Sequence, residues 1–155
     1  MRKTIIVNDN AGGHGKTQSI KAIYEEFLKC YPSMTPKNPI EDGSKNESWD
    51  TKAIFTIEVN GELVKIGLES QGDPKSRQLE SLTDFVKDNC DIIIGASRTR
   101  GETVHNVWDI SKKYEYRIIW ARNYICYDDM THKALKALYV DNIMKMVEEI
   151  IHNRL

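Results

Sequence analysis

Thr4-Ile5-Ile6-Val7-Asn8-Asp9-Asn10-Ala11-Gly12-Gly13-His14-Gly15-Lys16-Thr17 is the stretch that decides the reading of this chain. Its first residues, Thr4 to Val7, are apolar or β-branched, a run of the length expected for a strand covered on both faces. After the stretch, Ile20, Ile23, Tyr24, Phe27 and Leu28 recur at helical spacing. Between strand and helix lies a glycine-rich loop that ends in Lys16 and Thr17. Such a loop presents unpaired backbone N–H groups at a helix N-terminus, where the helix dipole also favours an anion. Gly12, Gly13 and Gly15 give the backbone clearance to close on phosphate oxygens, and Lys16 brings one mobile ammonium to the outer phosphates. Thr17 places a hydroxyl in the first helical turn, where Mg²⁺ would sit between protein and phosphate. Asn10, Ala11, His14 and Gln18 complete the expected cradle, with His14 a spacer that contributes its backbone.

This is the Walker A pattern G-x-x-x-x-G-K-[ST], with Asn10 at the first glycine position, and Asn tolerates the left-handed conformation better than most residues. On Asn8 to Thr17 the chain resembles the P-loop NTPase superfamily. Within it, the loop looks most like the deviant Walker A segment of the partition and septum-site ATPases, roughly N-x-K-G-G-x-G-K-T. Ala11 stands where those ATPases carry a signature lysine that reaches across a dimer to the neighbour's nucleotide. The resemblance implies a three-layer α/β fold and Mg-ATP binding, with hydrolysis or switching on the γ-phosphate. Dimer-activated hydrolysis through that lysine is not implied.

A chain of 155 residues, 40% hydrophobic and 29% charged, suits a single domain over 1–155 with its own core. A formal net charge of −1 gives no global basic field, so neither nucleic acid nor an anionic membrane is indicated as partner. Cys30, Cys90 and Cys126 are odd in number and widely spaced, which argues against a disulfide framework or a structural zinc site and for a reducing cytosol. Met1-Arg2-Lys3 precedes an apolar run too short for a signal peptide, and no run approaches membrane-spanning length. A soluble cytoplasmic protein is expected.

Residues 31–52 are polar, contain Pro32, Pro36 and Pro39, and show no periodicity, so they read as one long loop, mobile and functional, with plain disorder as the alternative. Asn60-Gly61 predicts a type I′ hairpin in which Val59 faces Glu62, Ile57 faces Val64, Phe55 faces Ile66 and Ala53 faces Leu68. Further strands are expected over 91–96 and 116–121. Helices are marked by Leu79, Leu82 and Val86, then by Val104, Val107 and Trp108, and last by a long series from Leu135 to Ile151. The order βαββαβαβα predicts a mainly parallel sheet of about five strands, one antiparallel hairpin strand at an edge, and helices on both faces. Ligands in such folds sit at the carboxyl ends of the strands.

Glu69, Gly72 and Asp73 follow the third strand, at the spacing of a D-x-x-G segment with Glu for Asp. Glu69 is expected to reach the Mg²⁺, Glu69 or Asp73 to orient the attacking water, and Gly72 to bring an N–H to the γ-phosphate; the alternative is a turn leading to a helix capped by Ser76. After the next strand, Thr99 and Glu102 fit a capping box, which leaves Arg98 and Arg100 to neutralise a transferring phosphoryl group or hold an acidic substrate. Trp120 and Tyr124 read as packing residues near the usual base position. With no N-K-x-D segment, ATP is expected before GTP. His105, His132 and His152 lack metal-ligand spacing and read as surface or capping residues. Two further functions fit the residues: a small kinase with the 31–52 loop and Arg98 or Arg100 on its acceptor, and a non-catalytic nucleotide-dependent module whose final helix binds a protein partner or a second copy.

Overall fold

The computed structural model describes residues 1–10, 15–38 and 50–155. Among them are β1 (Thr4–Asp9), α1 (Lys16–Cys30), β2 (Thr35–Asn38), β3 (Lys52–Val59), β4 (Glu62–Glu69), α2 (Gln78–Lys87), β5 (Ile92–Ser97), α3 (Glu102–Tyr114), β6 (Arg117–Trp120) and α4 (Asp129–Ile151). The strands form one sheet in the order β2-β3-β4-β5-β1-β6. Pairings β4·β5, β5·β1 and β1·β6 are parallel, while β2·β3 and β3·β4 are antiparallel. Five of the six strands, all but β3, therefore run in the same direction and deliver their carboxyl ends to one edge.

Alternation fixes which side chain goes where. In β1, Ile6 joins a core with Ile20, Ile23 and Phe27 of α1 and Ile143 and Val147 of α4, while Ile5 and Val7 join Leu82 and Phe85 of α2 and Val107 and Ile110 of α3. Helices α1 and α4 thus cover one face and α2 and α3 the other. Strand β5 is buried throughout, with Ile92 and Ile94 on one face and Ile93 on the other. The hairpin pairs in the register that its apolar face dictates, Ala53 with Leu68, Phe55 with Ile66, Ile57 with Val64 and Val59 with Glu62. Asn60 and Gly61 take φ of 52° and 83°, the left-handed pair that a type I′ turn demands.

Segment 31–52 differs from the expected continuous loop. Thr35–Asn38 adds an edge strand to β3, with Pro36 opposite Phe55 and a register shift between Pro36 and Asn38. A proline cannot donate to a ladder, so it is tolerated at an edge or a bulge, and the same residue hides the strand in the sequence. The sheet accordingly has six strands, and β3 is interior. The part of that segment over 39–49 lies outside the described residues.

Helix ends also differ. Gly101, with no side-chain cap bond, precedes α3, so Thr99 and Glu102 form no capping box. Thr103 acts locally instead, its hydroxyl accepting from the Arg98 N–H at 2.9 Å. At α2 the Ser76 hydroxyl accepts from the N–H of Gln78 at 3.3 Å, near its expected capping role. Asp128 opens α4, accepting from the Met130 N–H at 3.2 Å and the Thr131 hydroxyl at 2.6 Å. Among the described residues, no helix is long and apolar enough to cross a membrane.

Candidate functional site

Where β1 ends, the chain must reverse into α1 beside the sheet. Gly15 completes that reversal at φ 73° and ψ 20°, a left-handed conformation that strains residues with a Cβ. Ala11, Gly12, Gly13 and His14, the rest of the expected phosphate cradle, lie outside the described residues. Lys16, in the first turn of α1, is buried and sends its Nζ back to donate to the Asn10 carbonyl at 2.8 Å. Burial lowers the pKa of its ammonium; Asp73 opposes this by attraction and Arg98 adds to it by repulsion.

Beside Lys16, the Thr17 hydroxyl donates to Asp50 Oδ1 at 3.2 Å. Ser70 donates to the same oxygen at 3.2 Å, and its own oxygen accepts from the Thr51 N–H at 2.6 Å. A carboxylate flanked by two hydroxyls is a hard-oxygen set of the kind that suits Mg²⁺, which takes few protein ligands and keeps waters and phosphates for the rest. Among the described residues no group of three or more His, Cys, Asp or Glu gathers as a metal-binding cluster. Sequence reasoning missed Asp50, although a signal existed in the hairpin: Lys52 pairs with Glu69, and the Ser70 N–H donates to the Thr51 carbonyl at 2.9 Å. The residues before β3 are therefore carried to the end of β4.

Glu69 faces elsewhere. It is 1% exposed, and its carboxylate accepts from the Gln71 N–H at 2.9 Å, from Arg77 Nε at 2.9 Å and from the Ser81 hydroxyl. Gln71 and Arg77 belong to the β4–α2 connection and Ser81 to α2 itself, so the structure places Glu69 beneath these two and shows no hydrogen bond between it and Thr17. Gly72 stands against β5: a Cβ there would lie 2.5 Å from the Ala96 carbonyl carbon and 2.7 Å from the Ser97 nitrogen. Next to it, Asp73 Oδ1 accepts from Arg98 Nε at 2.7 Å, in a partly exposed pair. Arg100 is exposed on the same turn. Gln78, buried and unanticipated, ties these loops together; its Nε2 donates to the carbonyls of Ala96 and Thr103, both at 3.0 Å, and its Oε1 accepts from Asn106 at 3.1 Å.

On the other side of β1, an amide chain joins the strand to the β6–α4 loop: Asn10 Nδ2 donates to Asn8 Oδ1 at 2.6 Å, and Asn8 Nδ2 donates to Asn123 Oδ1 at 2.8 Å. Arg122 adds bonds from Nε to the Asp9 carbonyl at 2.9 Å and from Nη2 to its carboxylate at 2.8 Å. Trp120 packs on Trp108, and Tyr124 sits edge-on to Tyr139, so both aromatics serve packing. His132, at the start of α4, comes to the site with the preceding loop, whereas His105 lies on α3 and His152 follows α4.

Together these elements enclose a cleft of about 910 Å³. Lys16, Thr17, Gln18 and Asp50 stand at one end, the segment from Ser70 to Arg77 forms a wall, and Ile125, Cys126, Tyr127 and His132 form another. The arrangement brings the Lys16 ammonium, a hydroxyl-flanked carboxylate and the positive end of α1 to one side of the cleft, with Lys75 on its wall. Comparisons with family models, curated proteins and solved structures found no match for the chain.

Proposed function

We propose that this protein is a cytoplasmic P-loop NTPase of three-layer α/β architecture that binds Mg-ATP in preference to GTP and hydrolyses it or switches on its γ-phosphate. One observation carries the reading: a buried Lys16 at the start of α1, held at 2.8 Å by the carbonyl of Asn10, behind a left-handed Gly15. A phosphate oxygen is a strong, charge-assisted acceptor for an ammonium in this position. The triphosphate would take Lys16 from Asn10 and meet the N–H groups at the head of α1.

Thr17 and Asp50 are the residues that would hold Mg²⁺, and the ion, when bound, neutralises charge on the β- and γ-phosphate oxygens. Asp73, close enough to Lys16 to shift its pKa, is the carboxylate suited to accept a proton from the attacking water. Arg98 orients Asp73 through their 2.7 Å contact and brings positive charge to the γ-phosphate side, with Arg100 as a second cation on that turn. Glu69 serves from beneath: by gathering Gln71, Arg77 and Ser81 it fixes the segment that carries Gly72 and Asp73.

The volume of the cleft favours a second reading, a small kinase, because its walls extend past the Lys16 end to Lys75, Ser76 and Tyr127 and leave room for an acceptor. Binding without turnover in either assay would identify a nucleotide-dependent interaction module. Titration calorimetry with Mg-ATP and Mg-GTP on the wild type and on Lys16→Ala tests the common step, with circular dichroism to monitor the fold. Saturable uptake by the wild type and a large loss in the variant are expected; no uptake by folded wild-type protein overturns the reading. Phosphate release with and without a panel of nucleosides, nucleotides and small acids then separates hydrolysis from transfer.

A further inference from the structure

Neighbouring carbonyls of a strand point to opposite sides. At the end of β5 the Ser97 carbonyl turns toward β1 and accepts from the Asn10 N–H at 3.2 Å, so the Ala96 carbonyl turns toward β4. There β4 has no partner group left to give, because its pairing with β5 stops at Leu68 and Ile94. A buried carbonyl needs a donor, and Gln78 of α2 supplies it at 3.0 Å. The same Nε2 donates to the Thr103 carbonyl at the head of α3, and Oε1 accepts from Asn106. Two acceptors on the nitrogen and a donor on the oxygen fix which way the amide points.

Two walls meet around this amide. The connection from β4 to α2 is bonded to itself, the Ser76 N–H donating to the Asp73 carbonyl at 3.2 Å and the Arg77 N–H to Gln71 Oε1 at 2.8 Å. The turn from β5 to α3 is likewise closed, the Arg98 N–H donating to the Thr103 hydroxyl at 2.9 Å and the Ser97 hydroxyl to the Arg98 carbonyl at 2.7 Å. Asp73 and Arg98 bridge the walls, but their side chains are 61% and 37% exposed, and such a pair contributes little to holding them together. Gln78 is 2% exposed and ties the end of the first wall to both ends of the second. We propose that Gln78 is the positioning residue of this site, an uncharged clamp that keeps the Asp73 connection and the Arg98 turn in register while those two side chains exchange partners. A buried neutral amide carries no charge for salt to screen, so the register holds when Asp73 takes a proton or Arg98 turns to an anion. That Asp73 and Arg98 meet water and phosphate rests on the function proposed above; the clamp does not.

Hydrogen exchange of the Arg98 backbone amide, followed by NMR on nucleotide-free protein, tests the clamp apart from nucleotide binding. Gln78→Met keeps the length of the side chain and removes its bonds; exchange at Arg98 should quicken roughly tenfold more than at Ile93 in the core of β5. Asn106→Ala, which frees only the amide oxygen, should give a smaller change of the same kind, and it decides the matter if Gln78→Met does not fold. Asp73→Ala, and about 1 M potassium chloride on the wild type, should leave Arg98 near its original rate, because the ion pair is not what holds the walls. Equal quickening at Arg98 and Ile93 overturns the proposal, as does an Asp73→Ala effect as large as that of Gln78→Met. In assays with Mg-ATP, Gln78→Met should keep affinity within about threefold and slow phosphate release, with no further loss when combined with Arg98→Ala. Losses that add in full mean a merely structural role and also overturn it. A wild type that takes up no nucleotide strikes the function proposed above and leaves the exchange rates to decide the clamp.

Discussion

Glu69 and Asp50 are carboxylates carried to the same end of the β3–β4 hairpin, and they meet opposite fates. Glu69 is the last residue of β4, where a strand feeding a binding edge is expected to leave its acid, and it is sealed by three donors from the following connection and α2. Asp50 precedes β3 in a stretch with no recognisable pattern, yet its carboxylate holds the hydroxyls of Thr17 and Ser70 at 3.2 Å on the cleft wall. The difference teaches that position along a strand brings an acid to the edge, but saturation decides its use. A carboxylate whose lone pairs are taken by rigid donors builds the wall, and one held by two hydroxyls can exchange them for a cation.

The largest expected effect breaks that contrast if it fails. Glu69→Ala removes the buried carboxylate that the Gln71 N–H, Arg77 Nε and the Ser81 hydroxyl share, and losing these bonds to a charged acceptor costs about 3–5 kcal/mol, visible as a lower urea midpoint. Unchanged stability with loss of magnesium dependence would reverse the roles of the two acids. Next comes Lys16→Ala, on the cleft side, where a charged hydrogen bond worth about 1.5–3 kcal/mol converts to roughly ten- to a hundredfold weaker Mg-ATP binding by calorimetry, with the fold kept. Gly72→Ala probes the wall again: a Cβ 2.5 Å from the Ala96 carbonyl carbon should cost about 1–3 kcal/mol of overpacking in the same urea assay. Smaller still, Asp50→Asn should cost about 1 kcal/mol of stability or less, while Mg-ATP affinity falls to the value measured with EDTA.

How much of this was legible follows from the range of the interactions. The β3–β4 hairpin is a local object, and Asn60-Gly61 together with one apolar alternation fixed its register residue by residue. The run Ile92-Ile93-Ile94 announced a strand covered on both faces for the same reason. The position of Lys16 and Thr17 at the head of α1 was readable because the apolar run of β1 and the helical periodicity of α1 frame it. Strand β2 was not, since Pro36 mimics a breaker where an edge only needs to lack a donor. Gln78 spans α2, β5 and α3 through bonds at sequence separations of 18 and 25, and an amide in a helix carries no local mark of such a task. Asp50 lies between these cases, because extending the hairpin register by two residues leads straight to it.

The pH dependence offers the smallest effect and the sharpest comparison of wall with cleft. Burial lowers the Lys16 pKa below the usual 10.5, so in the folded protein its proton leaves before it leaves the unfolded chain. Between the lowered value and 10.5 the unfolded state binds more protons, and stability therefore rises with pH across that window. The proposed nucleotide binding needs the ammonium, so affinity is expected to fall across the same window; the two slopes have opposite signs. Tyr116 works against the stability slope, because burial pushes its hydroxyl up to about 12 and stability is lost as pH climbs from 10 through that value. Tyr116 is common to the wild type and Lys16→Met, so the difference between their stability profiles isolates the lysine. Removing the attraction of Asp73 with Asp73→Asn should move the fall in affinity to lower pH, and Arg98→Ala should move it the other way. A wild-type minus Lys16→Met profile that stays flat through 10.5 would mean that the ammonium is as well solvated in the fold as in the open chain, and the distinction between a saturated wall and an exchangeable cleft would lose its cationic half.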